Sequence, residues 1–268
     1  MRFLRSSIFT AAFATLLLAT PFASATTIQI TITNNAPDGS VFLTPVWLGL
    51  HDGSFDSYDN GAAASAGIEA IAEDGNPAPL SNMFDAAGRV QGVAGGAPIA
   101  PGQTVTLTLD VANDGSNNYL SYASMVLPSN DYFVANGNPF AHSIASVLNG
   151  SATELSFNIG TPGTVNDAGT EINDFLTTAG NGLFGFPGGQ GGPNEGADEN
   201  GVVTNVSDPF ANFLNLPPGF DPALFDFNDP SWTNGIATIT VTAVPVPAAL
   251  PLFAGALSLF GLMRRRVA

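Results

Sequence analysis

Residues Thr27 to Thr33 alternate strictly, Thr-Ile-Gln-Ile-Thr-Ile-Thr, which puts Ile28, Ile30 and Ile32 on one face of a strand and polar groups on the other. Asn34-Asn35-Ala36-Pro37-Asp38-Gly39 then supplies turn chemistry. The same period of two recurs from Thr104 to Val111, from Thr153 to Ile159 and from Ile236 to Val241, with Gly, Pro and Asn between the runs. Val41 to Leu50, which contains Trp47, reads as another strand, and Tyr119 to Leu127 as the return from the turn at Asn113-Asp114-Gly115-Ser116. One helix is predicted over Ala62 to Glu73, with Ser65 as N-cap and Asp74-Gly75-Asn76-Pro77 as its stop; a short turn is expected at Asn82 to Phe84. Gly or Pro fills 10 of the 17 positions from Gly180 to Gly196, the composition of a long surface loop. The pattern predicts an all-β protein, an antiparallel β-sandwich with one or two short helices and a long Gly-rich loop, and it argues against a βαβ scaffold.

The two ends read differently from this body. Residues 1–25 carry Arg2 and Arg5, an apolar run from Ile8 to Ala19, and Ala23-Ser24-Ala25, a small-x-small site cleavable before Thr26, which together form a signal-peptide pattern. Residues 244–268 begin Val244-Pro245-Val246-Pro247-Ala248-Ala249, continue as an apolar stretch to Met263 and end in Arg264, Arg265 and Arg266. The 16 residues from 248 to 263 fall short of the roughly 20 that cross a bilayer comfortably. The box, apolar helix and Arg cluster resemble the PEP-CTERM class of bacterial sorting tags in its VPLPA-like variant, with Val246 in place of the Glu of the class name. That resemblance implies transient inner-membrane association, removal by an exosortase-type protease and passage to the cell surface or matrix. Residues 26–243 remain as one domain.

Composition then narrows the chemistry. Five of the six Arg lie in the two ends, so the mature body holds Arg89 alone against all 22 carboxylates, a net charge of −21. Such a surface repels phosphate backbones, so no nucleic-acid partner is expected. The absence of cysteine excludes disulfides, thiolate metal sites and cysteine nucleophiles, and two histidines cannot make a three-histidine metal centre.

Four segments, His51-Asp-Gly-Ser-Phe-Asp-Ser-Tyr-Asp-Asn-Gly61, Ala72-Glu-Asp-Gly-Asn-Pro77, Leu120-Ser-Tyr-Ala-Ser-Met-Val-Leu-Pro-Ser-Asn-Asp-Tyr-Phe-Val-Ala135 and Asn166-Asp-Ala-Gly-Thr-Glu171, resemble the spondin domain, the N-terminal domain type of F-spondin. The resemblance is expected to run over about residues 27 to 243. It implies a β-sandwich similar to calcium-dependent lipid-binding modules, and a role in extracellular-matrix attachment and adhesion. It also implies a calcium ion held by Asp131, Asp167 and Glu171, where Glu171 replaces the Asp of the family pattern. Beside it stands the chemistry of the residues: Ca²⁺ takes 6 to 8 oxygens, which carboxylates and loop carbonyls supply, and Gly169 lets the backbone turn. Taken without the resemblance, Asp131 reads as a turn residue, and Asp167 as a cap for a helix over Thr170 to Leu176.

Glu195, Asp198 and Glu199 read as solvated surface, since neither they nor Asp52 to Asp59 have EF-hand spacing. His51 reads as a strand-end residue that fixes the following turn through its ring nitrogens. The chain contains no G-x-S-x-G elbow, and no carboxylate pair stands out, so a non-enzymatic protein is expected. Phe210, Phe213, Phe220, Phe225 and Phe227 suit core packing first and glycan stacking second. The leading expectation is a secreted calcium-binding protein that engages an extracellular polysaccharide or matrix protein. A carbohydrate-active enzyme or glycan-binding protein of the same matrix is the alternative.

Overall fold

The computed structural model describes residues 25–85, 89–178, 180–186, 189–190 and 192–245. The expected signal peptide and sorting tag thus lie almost wholly outside the described residues. Among these, no helix is long and apolar enough to cross a membrane.

Two antiparallel sheets form the body. In the first, β1 (Ala25–Asn34) lies between β5 (Thr104–Ala112) and β11 (Ala237–Ala243), and β8 (Glu154–Ile159) closes the far side of β11. The alternation read from sequence sets its two faces: Ile28, Ile30, Ile32, Ile239 and Val241 are fully buried, while a threonine-rich face turns outward. Ile30 sits opposite Leu107 on one side and Val241 on the other.

The second sheet has the order β10 (Thr204–Asn205), β9 (Asn166–Asp167), β7 (Tyr132–Ala135), β6 (Tyr119–Leu127), β3 (Val46–His51) and β4 (Gln91–Ala94), and β2 (Phe42–Leu43) pairs with the end of β6. The expected strand over Val41 to Leu50 is thus two strands. Thr44-Pro45 separates them, because proline has no N–H to give to a ladder. Every residue of β3 is buried, since this sheet is covered on both faces. Val46, Leu48 and Leu50 join the isoleucines of the first sheet in one core, while Trp47 joins a second core beneath two helices.

Those helices are α1 (Ala66–Asp74) and α2 (Ala78–Asp85). The Ser65 hydroxyl accepts from the Ile68 N–H, and Gly75, at φ 62, ends α1 by donating to the carbonyls of Ala70 and Ile71. Ile68, Ile71 and Ala72 form its buried stripe. Ser65 is the N-cap, as expected, so Ala62 to Ala64 of the segment lie outside the helix; α2 is a full eight-residue helix where only a turn was expected. Trp47, Phe55 and Phe84 meet here, with Trp47 and Phe84 edge to face at 5.1 Å. Gly49 makes room for them, because a Cβ at that position would lie 2.5 Å from Trp47 Cη2 and 2.9 Å from Phe84 Cε2.

Two further short helices, α3 (Ala145–Leu148) and α4 (Asn181–Phe184), break the loops. The latter falls inside the Gly-rich segment, where Phe184 and Phe186 pack against the main core. Phe210, Phe213, Phe225 and Phe227 are buried and Phe220 half-buried, in contact with Tyr132 and Phe175 or with one another. These rings are core side chains, the first of the two roles they suit.

Strand order also places the ends of the body. Val244 N–H donates to Thr27 O, so the first and last strands begin and finish side by side. The loops after β6, β8 and β9 gather toward the other pole, where Leu127 meets Phe42 and Ile159 meets Ala237.

Candidate functional site

Asp131 follows β6 across Pro128-Ser129-Asn130 and is completely buried. Its Oδ2 accepts from the Thr170 N–H at 2.9 Å and the Glu171 N–H at 3.2 Å, with the Thr170 hydroxyl at 3.4 Å. Its Oδ1 has no hydrogen-bond partner. Burial pushes the Asp131 carboxyl well above the usual carboxylate range, and the charge of Asp167 adds to the effect, with a smaller contribution from Glu199.

Asp167, on β9, opens the loop that Asp131 clamps. Its Oδ1 accepts from the Gly169 N–H at 2.8 Å and its Oδ2 from Asn173 Nδ2 at 3.0 Å. The Oδ1 of Asn173 is itself buried without a partner. Gly169, at φ 65, packs so closely on the next segment that a Cβ would lie 2.6 Å from Val202 O. Its carbonyl is taken by the Gly201 N–H, and that of Thr170 by the Glu199 N–H. The helix expected over Thr170 to Leu176 does not form. Its first amide groups point at Asp131 across about 40 positions of sequence, and Asp174, not Asp167, caps the following turn by accepting from the amides of Leu176 and Thr177.

The carboxylate of Glu171 goes the other way. It is 2% exposed; Oε1 accepts from the Gly196 N–H at 3.0 Å and Oε2 has no partner. Its pKa is raised to about 7 by burial and then by the charge of Glu73 on α1, with smaller effects of Asp74 and Asp174. The loop 167–171 therefore separates two acidic neighbourhoods. On one side Asp167, Asn173 and Glu199 line an open groove of about 380 Å³, and the charges of Asp167 and Glu199 are felt at Asp131; on the other, Glu171 and Glu73 line a cavity of about 330 Å³.

Of the three expected ligands, the structure brings Asp131 and Asp167 together and places Glu171 by its backbone only. Among the described residues no three His, Cys, Asp or Glu side chains are gathered at metal-binding distances. The oxygens on the Asp131 side nonetheless suit a hard cation: two carboxylates, the orphaned Asp131 Oδ1 and Asn173 Oδ1, and Glu199 at the rim. Glu199, Asp198 and Glu73 were not singled out as site residues from sequence. Glu73 lies on α1, and no spacing links it to the adjacent pair Asp198-Glu199; that pair is exposed, as expected of solvated surface, but its two members stand at the two openings.

His51 fixes its turn as expected. Nδ1 accepts from the Gly53 N–H at 2.9 Å, so the proton sits on Nε2, which donates to Ser121 Oγ at 2.9 Å. That tautomer is the wrong one for taking a proton from the serine, and no carboxylate orients the ring.

Residues 34–137 match the family model described as Spondin_N, less than half of the 268-residue chain. The matched span runs from the end of β1 through β7, including both helices and Asp131, and stops short of Asp167 and Glu171. No curated protein matches the chain.

Proposed function

We propose that this is a secreted, non-enzymatic spondin-type protein that binds calcium through Asp131 and Asp167 and serves in adhesion or extracellular-matrix attachment. The observation that carries the reading is Asp131: a completely buried carboxylate with one orphaned oxygen, beside a second carboxylate, in a body with one basic residue. That residue, Arg89, is engaged elsewhere, over the rings of Phe55 and Phe84 and on Ser54 Oγ. A buried carboxylate without a cation is unfavourable, and a calcium ion supplies both the charge and a use for the free oxygens. Asn173 Oδ1 and Glu199 complete the donor set on this side. Bound calcium would stiffen the loops of this pole and bridge them to an acidic polysaccharide. The spondin match supports an extracellular setting, and the sorting-tag pattern of residues 244–268 supports delivery to the cell surface or exopolysaccharide matrix through an exosortase-type enzyme.

Thermal unfolding of the purified protein tests the site with a change of sign. In EDTA, Asp131→Asn should melt at or above the wild-type temperature, because it removes a buried charge. Calcium at about 100 times the Kd of this site should stabilise wild type by about 2.7 kcal/mol more than it stabilises the variant. Equal calcium shifts in the two proteins would remove Asp131 from the site, and no shift in either would end the calcium reading.

A further inference from the structure

We propose that the cavity between α1 and the 194–201 segment is a second site for a hard divalent cation, with Glu73 and Glu171 as its carboxylate donors and water completing the shell. It stands independently of the Asp131 reading, since it uses different carboxylates on the other side of the 167–171 loop.

Glu73 is 3% exposed and Glu171 2% exposed, and both line the cavity with Glu69, Asp198, Asn194 and Asn200. Every one of these six side chains offers oxygen, and none brings positive charge. Glu171 Oε2 is the decisive atom. It is buried, without a hydrogen-bond partner, on a residue that lines the cavity, while its sister oxygen is fixed by the Gly196 N–H. Gly196 itself closes over this carboxylate, where a Cβ would run into Glu171 Cδ.

Two ionised carboxylates facing one cavity need a counter-charge, and the described residues offer Glu73 only the Thr170 hydroxyl and no free cation. Arg89, the only Lys or Arg between residues 25 and 245, is engaged at Phe55, Phe84 and Ser54. Among the described residues this leaves solvent as the source of a cation that competes with protons for the two carboxylates. Its class follows from the donors: carboxylate and amide oxygens, with no sulfur or imidazole, select hard ions over transition metals. Because no three acidic side chains are gathered at ligand distance among the described residues, the ion keeps several waters, an arrangement open to either Ca²⁺ or Mg²⁺.

Equilibrium dialysis of the full-length protein against Ca²⁺, and separately against Mg²⁺, counts the ions bound. Glu73→Gln and Glu171→Gln preserve side-chain size, and the amide oxygen of the second variant can still accept from the Gly196 N–H, so circular dichroism is expected to match wild type. Wild type should bind two Ca²⁺; each of these variants should lose one and retain the ion that Asp131→Asn abolishes. Two folded variants that bind as many ions as wild type overturn the proposal, as does a wild type whose every bound ion is lost in Asp131→Asn. Failure of the first reading has a different signature, an ion count unchanged by Asp131→Asn. Mg²⁺ retained by Asp131→Asn and lost in Glu73→Gln would identify the hydrated magnesium form of the second site.

Discussion

Replacing His51 by Gln removes a titrating group whose contribution to stability can be worked out from its surroundings. The imidazole is completely buried, its Nδ1 is occupied as an acceptor, and the rings of Phe55, Phe84 and Tyr119 stand 6.1 to 6.3 Å away. Burial, and next the charge of Arg89, lower its pKa from 6.5 to about 4, against a smaller upward pull of Asp52. Between those values the unfolded chain binds the proton and the folded one does not. The stabilisation is complete above pH 6.5 and is lost as pH falls toward 4. At pH 4.5 the unfolded imidazole is almost fully protonated and the folded one about a quarter, which corresponds to about 2.5 kcal/mol of lost stability. Urea unfolding at pH 7.5 and pH 4.5, with EDTA throughout, should show wild type losing about 2.5 kcal/mol more than His51→Gln. His142, lowered to about 4 by burial, and Glu171, raised to about 7 with the opposite sign, are common to both proteins and cancel in the comparison. A difference below about 0.5 kcal/mol, or a folded His51 that titrates near 6.5 by NMR, would refute the argument.

Two further outcomes test the packing that holds the acidic loops. Gly49→Ala forces a methyl group into Trp47 and Phe84 and should cost about 1 to 3 kcal/mol in urea unfolding, with unchanged calcium affinity. Gly169→Ala meets both a left-handed φ and the Val202 backbone, so it should weaken calcium binding at least tenfold by calorimetry while the secondary structure persists by circular dichroism.

The first sheet was legible because its strands have one wet face: Ile28, Ile30 and Ile32 against Thr27, Gln29 and Thr31 is a pattern that only one register satisfies. The second sheet was harder to read. Val46 to His51 is buried on both faces, so alternation vanishes, and only Pro45 marks where the strand begins. The N-terminal signal of α2 lay in Asn76-Pro77-Ala78-Pro79, where the Asn76 side chain accepts from the Ala78 N–H, but those residues read first as the stop of α1. Asp131 and Asp167 came from a resemblance, and the structure explains why they meet: the first clamps the loop that the second opens. The orientation of Glu171 was beyond sequence reading. It depends on a pairing of Glu171 with Asp198 and on Gly196, 25 positions away.

The side-by-side ends of β1 and β11 decide which way the molecule faces. Whatever continues from Val244 leaves from the same pole as whatever precedes Ala25, and the ten-residue β1 separates that pole from the acidic loops by roughly 30 Å. A protein tethered through either end would stand upright on its sandwich. Its carboxylate-rich tip would point into the surrounding medium, where divalent ions and acidic polymers are met first.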